Sequence, residues 1–248
     1  MPYDRGRETY RFEAPQGYGC ACAAYHNVYA RNLQVRRVQA DEIWAFVYGK
    51  DKNLTMEQVQ SGAGSVWTWT ALDADTKLII SYMLGDRGAS TAQSFMRDVA
   101  GRIANRIQLT TVGLRVYADA VEDAFGADID YAMLVKIYGA SNDNPESRYS
   151  PATCIVCRTG VLAGKPDPDH ISTSFVERSN LSLRMGMRRF TRLNERFQQE
   201  TGEPRTHGCA VLHARQLLQG AQDESGHPAM EAGLADHVWD IQELIGLF

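Results

Sequence analysis

No run of apolar residues in this chain approaches the roughly 20 that a membrane-spanning helix requires, which argues against a helical membrane protein. An excess of positive charge is missing too. Against 26 Lys and Arg stand 30 Asp and Glu, a net charge of −4, whereas a protein that coats nucleic acid by charge alone is basic. Cysteine is scarce and odd in number: Cys20, Cys22, Cys154, Cys157 and Cys209. In a long chain with no signal peptide ahead of them, such cysteines point to a reduced, cytoplasmic compartment rather than a disulfide framework. Cys154-x-x-Cys157 has the spacing of half a zinc ribbon, but Cys20-x-Cys22 does not supply the other half. His26, His207, His213 and His227 offer no metal-binding spacing either. What is left is a chain of 248 residues, 44% hydrophobic, large enough for one sizeable domain or one domain with appendages.

The charge that is present is uneven. Between His170 and Arg196 the first acidic residue, Glu177, is followed by Arg178, Arg184, Arg188, Arg189 and Arg192 before the next, Glu195, with Arg196 after it. On a helix, Glu177, Asn180, Arg184 and Arg188 align at i, i+3, i+7 and i+11, while Val176, Leu183, Met187 and Phe190 form an apolar face. A basic stripe on a mildly acidic protein fits a track for a phosphate backbone; a solvated helix face is the plainer alternative. Glu177 likewise has two readings. Ser174-Phe175-Val176-Glu177 matches the S-x-x-E capping box, and a carboxylate also suits the positive end of a helix. Equally, a carboxylate beside an arginine track suits a metal ion that works on a phosphodiester.

The remaining chain reads as alternating elements. Residues 1–18 are polar and aperiodic, and 21–31 suggest a short helix. Strands are expected at Val38 to Tyr48, Ser65 to Leu72 and Leu78 to Leu84, the last two joined by a turn at Asp73-Ala74-Asp75-Thr76. Asp73 and Asp75 are read as turn formers, and Trp44, Trp67 and Trp69 as core residues. Gly88 to Asn105 carries Ala92, Phe95, Met96, Val99 and Ile103 at helical spacing. A strand at Ile107 to Thr111, a helix at Leu114 to Phe125 and a strand at Ala132 to Tyr138 follow, then a loop over 140–170 containing four prolines, then the arginine-rich helix. Three strands in a meander and two right-handed crossovers give a five-stranded mixed sheet flanked by helices, the ribonuclease-H-like α/β layout. In that layout Asp41 of the first strand, with Glu42 beside it, and Glu177 of the last helix are carboxylates that could converge.

Five segments carry a resemblance to a known family: DEIWAFV (Asp41 to Val47), VWTWTALDADTK (Val66 to Lys77), LTTVGLRVY (Leu109 to Tyr117), DYAMLVKIYG (Asp130 to Gly139) and TSFVERSNLSLRMGMRRFTRL (Thr173 to Leu193). In this order and spacing they closely resemble bacterial transposases of the insertion-sequence-one type, over residues 20–193 and again from His227 to Phe248. The resemblance implies a DDE catalytic domain of ribonuclease-H-like fold. Such a domain cuts and joins DNA with two magnesium or manganese ions about 3.5–4 Å apart. By that resemblance Asp41 is the first carboxylate and Glu177 the last, both metal ligands, and Arg178, Asn180, Arg184, Arg188, Arg189 and Arg192 are DNA-contacting residues. The resemblance implies transposon ends and target DNA as partners, no membrane, self-association or co-assembly with an intact transposase, and a cytoplasmic, nucleoid-associated location.

Two departures from the family pattern stand out. Where the family has T-D-G at the end of the fourth strand, this chain has Thr111-Val112-Gly113, and valine cannot ligate a metal. Asp119, Glu122 and Asp123 on the next helix read as solvated charges rather than replacements. The second departure follows Phe197. The family's F-S-K-K-L-E-N-H is replaced by FQQETGEP, which is what one added nucleotide would produce; a shifted reading frame over Glu195 to about Gly226 is expected. The expected organisation is a leader over residues 1–34 without the family's zinc ribbon and helix-turn-helix, a catalytic domain over 35–200, and a divergent segment over 201–248. The resulting expectation is a transposase-family protein with weakened magnesium or manganese binding and little or no strand transfer, or an inactive DNA-binding remnant that inhibits transposition.

Overall fold

The computed structural model describes residues 24–47, 49–139, 154–186, 228–239 and 243. Residues 1–23 of the expected leader, Arg188, Arg189, Arg192 and Arg196, the stretch expected to be frame-shifted, Cys20, Cys22, Cys209, His207, His213 and His227 lie outside the described residues.

The first helical stretch, α1, covers residues 24–29. The strands are β1 (Arg37–Val47), β2 (Gly64–Asp73), β3 (Ile79–Gly85), β4 (Ile107–Val112), β5 (Ile129–Tyr138) and β6 (Cys154–Ala163). The further helices are α2 (Met56–Gln60), α3 (Ala89–Ala100), α4 (Val116–Phe125), α5 (Ser174–Gly186) and the short α6 (Pro228–Glu231). The strands form one sheet in the order β3-β2-β1-β4-β5-β6. β1 to β3 form an antiparallel meander, β4 and β5 join in parallel, and β6 returns antiparallel to β5. This is the expected ribonuclease-H-like layout with one strand more than expected. The sixth strand falls inside the stretch read as a loop. Nearly every residue of Cys154–Ala163 is exposed, so no buried-and-exposed alternation marks it; backbone pairing to β5 is what holds it in the sheet. Gly164 closes it at φ 64°, where a side chain would collide with the Asp130 carboxylate and the Ile129 carbonyl.

The two faces of the sheet are covered differently. Alternation along β1 and β2 sends Val38, Ala40, Trp69 and Ala71 towards α3 and α4, where they meet Phe95, Met96, Val99, Tyr117 and Val121 in the main core. The opposite face carries a smaller cluster: Ile43, Leu72 and Ile79 against Val176 and Leu183 of α5. Trp69 is fully buried in the main core, and its indole N–H donates to the Asp86 carbonyl at 3.0 Å, so its polar atom is satisfied too. Helix α3 ends at Ala100, short of the expected Asn105, with Gly101 at its C-terminus. Ile103, expected on its apolar face, instead bridges to Leu33. The β2–β3 turn is organised as read: the Asp73 carboxylate accepts from the backbone N–H of Asp75 and Thr76 and from the Thr76 hydroxyl. The stretch between β1 and β2, expected as a plain loop, contains α2, which Thr55 and Gln58 close with a reciprocal capping box. Among the described residues no helix is long and apolar enough to cross a membrane.

Candidate functional site

The face covered by α5 brings the two expected carboxylates onto common ground. Asp41 lies on β1 two residues past Gln39, and the same alternation aims both at α5. Gln39 is 3% exposed, and its side-chain carbonyl accepts from the N–H of Phe175 at 2.9 Å and of Val176 at 3.1 Å. These are donors that a helix start leaves without intrahelical partners. The Ser174 N–H is taken by the Ser172 hydroxyl at 3.2 Å. The start of α5 is therefore capped largely from β1, and the expected capping box centred on Ser174 does not form. Ser174 is already inside the helix; the Thr173 carbonyl accepts the first helical bond, from the Glu177 N–H at 3.0 Å, and the Thr173 hydroxyl donates to the Glu177 carboxylate at 2.6 Å.

Asn180 ties the helix to Asp41. Its amide N–H donates to Asp41 Oδ2 at 2.8 Å, and its amide oxygen accepts from the Thr70 hydroxyl at 3.0 Å. The expectation that Asn180 lines a DNA track meets a different placement: it is 5% exposed, beneath the surface. Its position explains this, because Val176, Asn180 and Leu183 are spaced i, i+4 and i+7 and make up the buried stripe of α5. Both alignments were available in the sequence, and packing against β1 and β2 selected the one that buries Asn180. Arg178 and Arg184 are exposed on the same helix. Burial is the largest influence on Asp41 and raises its pKa; the Asn180 bond opposes it, the charge of Glu177 adds to it, and Arg184 pulls it back.

Glu177 has acquired a partner that sequence reasoning missed. Lys136 of β5 places its Nζ 2.6 Å from both oxygens of the Glu177 carboxylate. Burial alone would lower the Lys136 pKa; the hydrogen bond and charge of Glu177 overcome it and hold the ammonium above its ordinary value. The signal was the single charged residue interrupting the strand AMLVKIY. Val112, which packs against the main core, is close to this group in strand register. β1 and β4 pair in parallel up to Ala40 and Thr111, so one step further sets Val112 level with Asp41, and β5 contributes Leu134 opposite Val112. Gly113, next in the chain, lies against β5 so closely that a Cβ would fall 2.8 Å from the Val135 side chain.

Glu42, adjacent to Asp41, serves the other face. Its carboxylate accepts from Arg87 Nη2 at 2.7 Å and Nε at 3.0 Å, and from the buried Tyr117 hydroxyl at 3.2 Å. Burial raises its pKa against the pull of Arg87, and its place in the main core makes it a structural charge.

Magnesium and manganese ask for several oxygen ligands in a near-octahedral array. This group offers two carboxylates, one with both oxygens engaged by an ammonium, and beside Asp41 in register the hydrocarbon side chain of Val112. That donor set does not fit a two-ion centre, and among the described residues no cluster of three or more His, Cys, Asp or Glu could hold a metal ion.

No family model matches the chain, and no curated protein matches it. Solved structures do. A chain of the simian T-cell lymphotropic virus intasome, in complex with the PP2A regulatory subunit B56 gamma, is similar at 15% identity and a TM-score of 0.41, over 85% of this chain and 58% of that one. A piggyBac transposase in a synaptic complex with hairpin DNA is similar at 11% identity and a TM-score of 0.37, over 86% of this chain and 52% of that one. Endonuclease V from Bacillus subtilis is similar at 13% identity and a TM-score of 0.23, over 53% of this chain and 61% of that one. The chain thus spans less than two thirds of each of these chains.

Proposed function

We propose that this chain is a transposase-family protein of the DDE class and insertion-sequence-one type that engages DNA through α5 and has lost the ability to cut it. What supports the reading is that Asp41 of β1, held to α5 by Asn180, and Glu177 of α5 lie on the face of the sheet that α5 covers, with Val112 level with Asp41 on the neighbouring strand. Two carboxylates on separate elements, Asp41 of β1 held to α5 by Asn180 and Glu177 on α5 itself, supply the skeleton of a phosphoryl-transfer site. The lost third ligand and the ammonium on Glu177 both weaken it for magnesium or manganese. A non-cutting protein that occupies transposon ends, or joins an intact transposase and inhibits it, is the form of the function this arrangement favours.

Three measurements test the reading. Incubation with terminal-repeat DNA and magnesium or manganese is expected to give no cleavage; robust cleavage overturns the proposed inactivity. Val112→Asp is expected to raise divalent-ion affinity, seen as a magnesium-dependent rise in Tm that the unchanged chain lacks. In gel shifts, Arg178→Ala and Arg184→Ala should each weaken DNA binding and lower the slope of log K against log salt by about 1. No shift with any DNA would defeat the DNA-binding part.

A further inference from the structure

Cys154 and Cys157 lie on β6, exposed and unbridged, with their sulfurs 3.6 Å apart. On a regular strand, residues three apart point to opposite faces. Here the register breaks: Tyr138 pairs with Cys154, Ile137 with Val156 and Lys136 with Cys157, so Ile155 is an extra residue without a partner on β5. The bulge turns Cys154 and Cys157 to the same face. It also compresses them to the span of the two-residue step from Tyr138 to Lys136, about 6.7 Å along a strand. That lies at the upper edge of the roughly 4.4–6.8 Å between α-carbons that a disulfide bridges. Ile155 is 65% exposed, so burying its side chain does not account for the bulge.

We propose that Cys154 and Cys157 form a reversible redox site, a dithiol that closes to an intramolecular disulfide by exchange with a small-molecule disulfide such as oxidised glutathione. One cysteine sulfur, as thiolate, attacks a glutathione sulfur and expels one glutathione thiolate, leaving a mixed disulfide. The second cysteine sulfur attacks the protein half of that bond and expels the other glutathione. Two electrons pass from the two thiols to one glutathione disulfide, and the two thiol protons end on two glutathione thiols. Exposure on the sheet edge admits the oxidant, and a span at the limit of the bridging range makes the closed form easily reduced. The site is also in register with the candidate functional group, because Cys157 pairs with Lys136, whose ammonium holds Glu177.

The sequence supplies a clean assay. Trypsin cuts after Arg148 and Arg158, so the peptide covering residues 149–158 contains both cysteines and no other. The full chain is equilibrated with glutathione and its disulfide in varied ratio, blocked with iodoacetamide and digested. The expected peptide is unalkylated and lighter by two hydrogens, appears as the disulfide fraction rises, and returns to the doubly alkylated form with dithiothreitol. Cys154→Ser and Cys157→Ser should each trap a stable glutathione adduct at the remaining cysteine. A peptide that stays doubly alkylated, or carries two glutathiones without closing, overturns the proposal.

Discussion

The Gln39 side chain caps α5 from β1, and replacing it with methionine isolates that contact. Methionine keeps the length and volume of the side chain but accepts no strong hydrogen bond. Two backbone donors would lose their partner: the half-buried N–H of Phe175 and the buried N–H of Val176. An unsatisfied buried donor costs about 1–3 kcal/mol, and losing a helix cap costs about 0.5–2 kcal/mol. With Phe175 partly reached by water and Val176 not, the expected loss is roughly 3 kcal/mol, at the low end for the first and the middle for the second. Ser172→Ala removes only an exposed acceptor of the same helix start and is expected to cost under about 1 kcal/mol. Urea unfolding measures both losses. Amide hydrogen exchange shows where they fall: α5 should lose protection in Gln39→Met while β1 and β4 keep theirs. A Gln39→Met protein within about 0.5 kcal/mol of the parent, with α5 amides still protected, would refute the cross-sheet cap.

Other perturbations follow from buried charges and the site. His26 is 4% exposed with its Nε2 3.1 Å from the Ile79 carbonyl, and burial, helped by Arg102, lowers its pKa to about 4 from 6.5. Because the unfolded chain takes up this proton first, the contribution is complete above pH 6.5 and is lost as pH falls towards about 4. Urea titrations at pH 7.5 and 4.5 should therefore differ by up to about 3 kcal/mol more in the parent than in His26→Gln. Arg102 is 4% exposed and reaches Asp98 at 2.7 Å, Asn27 at 2.6 Å and the carbonyls of His26 and Ala30. Arg102→Met should destabilise by about 3–5 kcal/mol by stranding these acceptors, and a loss under about 1 kcal/mol would contradict that account. Lys136→Met should cost only about 1 kcal/mol, since the ion pair is partly exposed, at 25% and 35%; the same denaturation experiment checks it.

Much of this architecture is written in local patterns. Strands whose two faces differ, such as β1 and β2, and helices with a clear apolar stripe, such as α3, announce themselves through period. β6 does not, because a strand exposed on both faces has no buried side to alternate with, and only pairing to β5 defines it. Of the candidate group, Asp41, Glu177 and the valine at 112 stood out in the sequence through resemblance to a family. Its connecting parts were not. Gln39, Thr70 and Lys136 act through partners far along the chain, and nothing within their own neighbourhoods states which partner they meet. Asn180 fits either of two helical stripes, a choice made by what β1 and β2 present to it.

The cap from Gln39 to α5 also has a kinetic meaning. It joins positions 136 residues apart, and the Asn180–Asp41 bond joins positions 139 apart, so β2 to β6 all lie within the loops these contacts close. Contacts closed over such loops come late, after the nearer pairings of β1 to β3 and of α3 with α4. Weakening them should leave the folding rate nearly unchanged and hasten unfolding instead. A chain caught before that last docking step has its sheet and its main core, yet Glu177 has not been carried to the face on which Asp41 lies.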